Sequence, residues 1–136
     1  MTVELSGEIQ IQTEYDIVSV RKIVREVTNR LGFGITDITR VVTAASELAR
    51  NIVLYAGSGC MQWRPVTIKD REGIELTFID HGPGIAEIDL VMQEGYSTSN
   101  GLGMGLPGTK RLMDEMEINS QVGCGATISI RKWLRR

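Results

Sequence analysis

The chain has 136 residues, a length that predicts a single compact domain over residues 1–136. Fifteen lysines and arginines stand against seventeen aspartates and glutamates, so the net charge is −2 and the chain is not expected to bind nucleic acid, because such domains are usually basic. No apolar run approaches the roughly 18 residues that span a membrane, and the N-terminus lacks a secretory signal. Together with two cysteines read as free thiols, these features favour a cytoplasmic protein without a membrane partner.

The first part of the chain is predicted to form one strand and two helices. Residues 8–13 alternate apolar and polar side chains, as a half-buried strand does. Residues 14–31 show helical spacing, with a capping box formed by Thr13 and Asp16 at the start and Gly32 at the end. A second helix is expected over residues 37–55, with Thr36 as its N-cap. Its predicted buried stripe consists of Ile38, Val41, Val42, Ala45, Leu48, Ala49 and Ile52.

The second part is predicted to form two hairpins separated by helical segments. Strands at residues 59–69 and 74–80 are joined by a turn at residues 70–73, and a short helix is expected over residues 88–93. Pro107 fits the first turn of another helix that reaches about residue 116. Strands near residues 118–122 and 126–133 complete the chain. The predicted fold is an α/β (α+β) two-layer sandwich, with a mixed, mostly antiparallel sheet and its helices on one face.

Two polar residues of the second helix are candidates for chemistry. Glu47 and Asn51 are four residues apart, so their side chains lie one turn from each other on the same helix face. This face is roughly opposite the apolar stripe, which favours a solvated surface. A carboxylate and an amide oxygen in this arrangement could instead orient a nucleophile and hold a cation such as Mg²⁺. Both interpretations remain open at the level of helical spacing.

Asp80 ends a strand whose other residues on the same face are apolar. Ile74, Leu76 and Phe78 share its parity, so an ionised carboxylate here would project from a buried face. Either the strand ends before Asp80 and the carboxylate caps the next turn, or Asp80 forms the floor of a pocket and accepts hydrogen bonds from a ligand amino group. The Gly-Pro-Gly sequence at residues 82–84 favours a pocket, since it keeps large side chains away.

Glycine occupies every second position from Gly101 to Gly105, directly before a predicted helix. Backbone N–H groups without side-chain cover at a helix N-terminus can bind phosphate, although a merely flexible loop is the alternative. The sequence lacks the Gly-Lys-Ser/Thr of a P-loop. No strand precedes the glycines, which argues against a dinucleotide-binding fingerprint.

Four segments in this order resemble the sequence boxes of the Bergerat-fold (GHKL) ATPases, a superfamily that includes gyrase and the histidine kinases. Residues 47–51 resemble the N-box, residues 80–84 the Asp-x-Gly-x-Gly box, residues 101–105 the ATP-lid box and residues 125–127 the last box. The chain is most similar to the anti-sigma-factor serine/threonine kinases, and among these to the switch kinases of stressosome modules. Residues 14–18, 46–52, 101–108 and 110–115 carry that likeness.

The resemblance implies a site for ATP and Mg²⁺. Glu47 would be the catalytic carboxylate, Asn51 would bind Mg²⁺ and Asp80 would accept a hydrogen bond from the adenine amino group. The remaining nucleotide contacts that the resemblance implies are Gly82, Gly84, Gly101, Leu102, Gly103, Met104, Gly105 and Thr127.

The resemblance also implies two partners. The first is a STAS-domain antagonist or scaffold protein, phosphorylated on serine or threonine, and the second is a PP2C-type phosphatase that the released kinase binds and activates. The alternative is a nucleotide-gated module that regulates a phosphatase or sigma-factor pathway by binding, without significant kinase activity. Glu47 favours the kinase, because a pure binding module has no evident need for a carboxylate beside the cation. A histidine kinase is not expected, since the single histidine, His81, lies in a glycine-rich turn.

Overall fold

The computed structural model describes residues 3–81, 105–121 and 125–135. These residues form five strands and three α-helices. The expected helix at residues 88–93 lies outside the described residues, as do Gly82, Gly84 and residues 101–104. In chain order the elements are β1 (Gly7–Ile11), α1 (Glu14–Leu31), α2 (Ile35–Asn51), β2 (Gly59–Ile68), β3 (Arg71–Asp80), α3 (Gly105–Leu112), β4 (Glu115–Gln121) and β5 (Gly125–Trp133).

The five strands form one sheet in the order β1-β2-β3-β5-β4, and every pairing among them is antiparallel. Alternate residues of β3, such as Ile74, Leu76 and Phe78, are buried and share one core with α1 and α2. The predicted two-layer α/β sandwich is thereby confirmed, and the described part of the sheet is antiparallel throughout. Within the described residues, no helix is long and apolar enough to cross a lipid bilayer.

Helix α1 has the predicted limits and the predicted capping box. The Asp16 carboxylate accepts hydrogen bonds from the backbone N–H groups of Gln12 and Thr13, at 2.8 and 3.0 Å. These hydrogen bonds lower the pKa of the Asp16 carboxyl. The helix ends at Gly32, whose φ of 96° is the left-handed conformation that terminates helices.

Helix α2 differs from its prediction at both ends. It begins at Ile35 with extended Gly34 as the N-cap, so the prediction of Thr36 as N-cap was wrong. The regular helix ends at Asn51 and continues as one π-helical turn, Ile52–Ala56, which Gly57 closes at a φ of 84°. All seven residues of the predicted stripe are buried. Periodicity located the buried face correctly, whereas the change of helix type depends on packing and leaves no clear pattern in the sequence.

The hairpins also differ in their details. The β2–β3 turn contains two residues, of which Lys69 has a φ of 56°, rather than the four expected. Helix α3 ends at Leu112, about one turn earlier than predicted. The helix cannot continue because Glu115 and Met116 already pair with β5 as part of β4.

A row of alternating charges crosses four strands on the sheet face opposite the helices. Glu75 lies in the middle, only 7% exposed, and its two oxygens accept hydrogen bonds from Arg64 at 2.8 Å and Arg131 at 2.6 Å. Arg131 also donates to Glu115 at 3.0 Å. Burial by itself raises the pKa of Glu75, but the two arginines outweigh it and leave that pKa below its ordinary value. Each of these four charged side chains therefore has an oppositely charged partner within the row.

Replacing Glu75 with glutamine is expected to lower the free energy of unfolding at neutral pH by about 1–3 kcal/mol, because two hydrogen bonds lose their charged acceptor. Since the folded-state pKa of Glu75 is depressed, the wild type keeps this contribution above its ordinary pKa of 4.5 and loses it as the pH falls through the folded-state value. Urea unfolding from neutral pH to about pH 3 should therefore show a shallower loss of stability for E75Q than for the wild type. The exposed replacement E14Q is the control, and parallel pH curves for E75Q and the wild type would contradict the prediction.

Candidate active site

Glu47 lies inside the protein rather than on a solvated face. Its side chain sits in the second half of α2, the residue is 4% exposed, and its Oε1 has no hydrogen-bond partner among the described residues. Helical spacing indicates one buried stripe on α2, and Glu47 lies roughly opposite it, so a solvated position is expected from spacing alone. Helix α2 in fact packs against α1, α3 and β3, so more than one of its faces is covered. A buried carboxylate oxygen without a partner among the described residues is unfavourable for folding, which makes Glu47 a candidate for contact with a ligand.

Asn51 is the last residue of α2 and lies one helical turn after Glu47, on the same face. It is half-buried and directly precedes the π-helical turn. Such turns occur often at functional sites, because the wider turn redirects the side chains around it. The Asn51 side chain therefore offers an amide oxygen one turn from a buried carboxylate.

Asp80 is the last residue of β3, so the strand does not end before it. It is half-buried and continues the row of Ile74, Leu76 and Phe78 on the helix-facing side of the sheet. A carboxylate therefore terminates an apolar row on this face of the sheet.

The strands on both sides of Asp80 contribute very small residues. Gly59 of β2 and Ala126 of β5 lie directly opposite it. A Cβ atom on Gly59 would lie 2.3 Å from the backbone oxygen of Ile79 and 3.1 Å from Cγ2 of Ile52. Ile52 immediately follows Asn51, so the end of α2 lies over the corner that contains Asp80. The sequence did not single out Gly59, Ala126 or Ile52 as site residues. Strand register places Gly59 and Ala126 beside Asp80, and the packing of the helix end places Ile52 near Gly59.

Gly125 supports the same corner from the backbone. Its φ is 87°, and a Cβ atom there would lie 2.2 Å from the backbone oxygen of Asp80. Any larger residue would push β5 away from the end of β3. The glycine of the last box is therefore required by the close approach of two strands.

Thr127 does not share this corner. It pairs with Ile79, one residue away from the Asp80 position, and successive side chains of a strand point to opposite faces. The Thr127 side chain thus belongs to the far face of the sheet, with Thr77 and Ser129, whose hydroxyls lie 3.2 Å apart. This register corrects the expectation that the Thr127 hydroxyl assists Asp80, and Ala126 occupies the place beside the carboxylate.

The glycine-rich segment leads into α3, which begins at Gly105 and packs against α2. The other predicted loop contacts, Gly82, Gly84, Gly101, Leu102, Gly103 and Met104, lie outside the described residues. No group of three or more His, Cys, Asp or Glu side chains that could hold a metal ion occurs in the part of the chain that the structure describes. A single amide oxygen from Asn51 fits Mg²⁺ nevertheless, since this ion commonly takes one or two protein ligands and completes its shell with phosphates and water.

Comparison with known proteins agrees with this geometry. Residues 11–132 match the family model of the histidine kinase-like ATPase domain. The chain therefore belongs to this family, in its branch of anti-sigma regulatory serine/threonine kinases, an ATP-binding class of protein kinase. Within that branch it is 51% identical to the serine/threonine-protein kinase RsbT of Bacillus subtilis, over 93% of this chain and 96% of the relative. It is also 31% identical to an anti-sigma F factor of Heyndrickxia coagulans, over 72% of this chain and 71% of that protein.

Two solved structures show the same fold. The structure of the RsbU and RsbW domains of Rv1364c from Mycobacterium tuberculosis matches with a TM-score of 0.65 and 20% identity, over 96% of this chain and 33% of that one. The mycobacterial sensor histidine kinase MprB matches with a TM-score of 0.56 and 18% identity, over 95% of this chain and 97% of that one. Both confirm the predicted Bergerat-type architecture.

The two buried glutamates provide a direct test of the site. Replacing Glu47 with glutamine removes a buried charge, one of whose oxygens has no hydrogen-bond partner among the described residues, so the free energy of unfolding of the nucleotide-free protein should rise by about 1–2 kcal/mol. The matched control is E75Q, which removes an equally buried but fully paired carboxylate and should be destabilising. Urea unfolding of both variants makes the comparison. Equal destabilisation by E47Q and E75Q would show that the Glu47 carboxylate has a structural partner.

Proposed function

We propose that this chain transfers the γ-phosphoryl group of Mg-ATP to a serine or threonine of a STAS-domain antagonist or scaffold protein in a stressosome-type module. When released from that scaffold, it binds and activates a PP2C-type phosphatase. The observation that carries the catalytic part is the buried Glu47 carboxylate, whose Oε1 has no hydrogen-bond partner among the described residues. The likeness to RsbT over nearly the whole chain supports the choice of a protein kinase, and the partners are those that the family resemblance implies.

In this proposal the adenine binds at the corner formed by the ends of α2 and β3. Asp80 accepts a hydrogen bond from the adenine amino group, and the small residues Gly59 and Ala126 on either side leave room for the flat base. Ile52, whose side chain reaches Gly59, offers the base an apolar surface. The phosphate contacts are assigned to the backbone of the glycine-rich segment, which comprises Gly101, Leu102, Gly103, Met104 and Gly105. Gly82 and Gly84 of the Asp-x-Gly-x-Gly box are further proposed nucleotide contacts, with Gly84 giving the base room.

Asn51 is the proposed Mg²⁺ ligand, through its side-chain oxygen. When bound, the ion would neutralise charge on the phosphates of ATP. Asn51 is well suited to this task because the end of α2 places it between the buried Glu47 and Ile52 at the adenine corner. The protein thereby needs only one neutral donor at the ion.

Glu47 is the proposed catalytic carboxylate. Phosphoryl transfer asks the protein mainly to position the attacking hydroxyl and to stabilise charge, and a carboxylate oxygen can accept the proton of that hydroxyl as a hydrogen bond. Because Glu47 is shielded from water and its Oε1 has no partner among the described residues, this oxygen is available to a substrate hydroxyl. Its electrostatic effect is stronger there than it would be in water.

The kinase reaction can be tested with purified protein, Mg²⁺, radiolabelled ATP and a STAS-domain antagonist. Wild-type protein should label serine or threonine, whereas E47Q should reduce the rate by about 10²–10⁴-fold, as expected for loss of a general base, while ATP affinity stays within about threefold. E14Q, which removes an exposed carboxylate, is the control. Binding of ATP by the wild type without any labelling would favour the non-catalytic, nucleotide-gated module. Unchanged transfer by E47Q would remove Glu47 from the mechanism.

The adenine assignment predicts opposite results for two residues near the end of the sheet. D80N should weaken Mg-ATP binding by at least about tenfold. A neutral amide then replaces the charged acceptor, and its NH₂ group is a donor where the carboxylate had an acceptor. T127V should leave the affinity within about twofold, because strand alternation turns that side chain to the other face. Isothermal titration calorimetry measures both affinities, with urea unfolding as the check on folding. A normal affinity together with a large loss of stability in D80N would make Asp80 a structural residue.

A further inference from the structure

Lys132 of β5 is one of the few buried charged residues in the described part of the chain, with 3% exposure. Lysine is rarely buried to this extent unless its ammonium group has partners. The Lys132 Nζ donates a hydrogen bond to the backbone oxygen of Leu112 at 2.9 Å, and it lies 3.6 Å from Asp114 Oδ1 and 3.8 Å from Asp37 Oδ1. Leu112 is the last residue of α3, so the lysine caps the C-terminus of that helix.

The acidic partners of Lys132 do not depend on it. Asp37 also pairs with Arg40 at 2.9 Å and with Arg135 at 3.3 Å. Asp114 pairs with Arg135 at 3.4 Å, and its other oxygen accepts a hydrogen bond from the backbone N–H of Trp133 at 2.8 Å. Both carboxylates therefore keep cationic partners if the lysine is removed. The contact that Lys132 alone supplies, among those described, is the hydrogen bond to the end of α3.

Through its hydrogen bond to Leu112 and its ion pair with Asp37, Lys132 links β5 to the end of α3 and to the start of α2. A cation at a helix C-terminus satisfies a free carbonyl and interacts favourably with the helix dipole. Asp37 belongs to the first turn of α2, the helix that carries Glu47 and Asn51. Helix α3 has eight residues, a length of about 12 Å, and packs against α2. Because α3 is short and rigid, a shift of its C-terminus tilts the whole helix and displaces its N-terminus at Gly105.

We propose that Lys132 is a positioning residue for nucleotide binding. By holding the C-terminus of α3, it orients the N-terminus of that helix at Gly105 towards the phosphates of ATP. This inference rests on the proposed function. Lys132 is assigned no contact with the nucleotide. Its loss should therefore weaken the binding of the phosphates and leave the binding of adenine unchanged.

The test compares ATP with adenosine, which lacks the phosphates. K132M removes the ammonium group but keeps an apolar stem, and it should weaken Mg-ATP binding by about tenfold while adenosine binding stays within about twofold. K132R, which retains a donor, should recover most of the ATP affinity. R40Q is the matched control, since it removes another cation from Asp37 without touching Leu112, and it should bind both ligands as the wild type does. Titration calorimetry measures binding, and urea unfolding reports on the fold.

Equal weakening of ATP and adenosine by K132M would overturn the inference, as would unchanged ATP affinity with only a loss of stability. If K132M does not fold, K132Q is measured in the same way, and the same two outcomes decide. D80N gives a different pattern, because it should weaken both ligands together. Absence of ATP binding by the wild-type protein would instead contradict the proposed function itself, and would remove the basis for assigning a role to Lys132.

Discussion

The proposed site depends on one constraint, the burial of a carboxylate that has one oxygen without a hydrogen-bond partner among the described residues. Glu47 is held in the layer between α2 and its neighbours, where water cannot satisfy both of its oxygens. Such an arrangement lowers stability and persists only when the surrounding packing is strong. The packing here is strong: the same helix buries a continuous apolar stripe against α1 and the sheet. In the proposed site, the well-packed core holds this oxygen where a substrate hydroxyl can reach it.

The contrast with Glu75 shows how selective this arrangement is. Glu75 is about as buried as Glu47, yet both of its oxygens accept hydrogen bonds from arginines. On the far face of the sheet, the charged row of Arg64, Glu75, Arg131 and Glu115 is therefore paired. On the helix side of the sheet, Glu47 Oε1 has no partner among the described residues and lies in the second half of α2. The small residues Gly59 and Ala126 flank Asp80 at the end of β3. In this proposal Glu75 has a structural role because two arginines pair with it, whereas Glu47 Oε1 is available to a ligand because no described residue pairs with it.

Helix α2 joins the parts of the proposed mechanism. Its first turn contains Asp37, which meets Lys132 and, through it, the end of α3. Its second half carries Glu47 and Asn51, and the π-helical turn that follows brings Ile52 over Gly59. A single rigid element therefore relates the catalytic carboxylate, the ion ligand, the adenine corner and the helix after the glycine-rich segment. Phosphoryl transfer depends mainly on such relative positions.

The sequence by itself determined the limits of α1, the buried stripe of α2, the hairpins and the boxes that indicate an ATP-binding domain, because helical and strand periodicity and glycine spacing are local properties. It could not show that Glu47 is buried, since the neighbours that cover α2 come from distant parts of the chain. Nor could it separate Ala126 from Thr127, because strand register decides which of two adjacent residues stands beside Asp80. Nor could local pattern show that Lys132, in the last strand, lies at the C-terminus of α3. Local pattern specified the elements and the chemistry of the boxes, and only long-range packing decided which side chains meet.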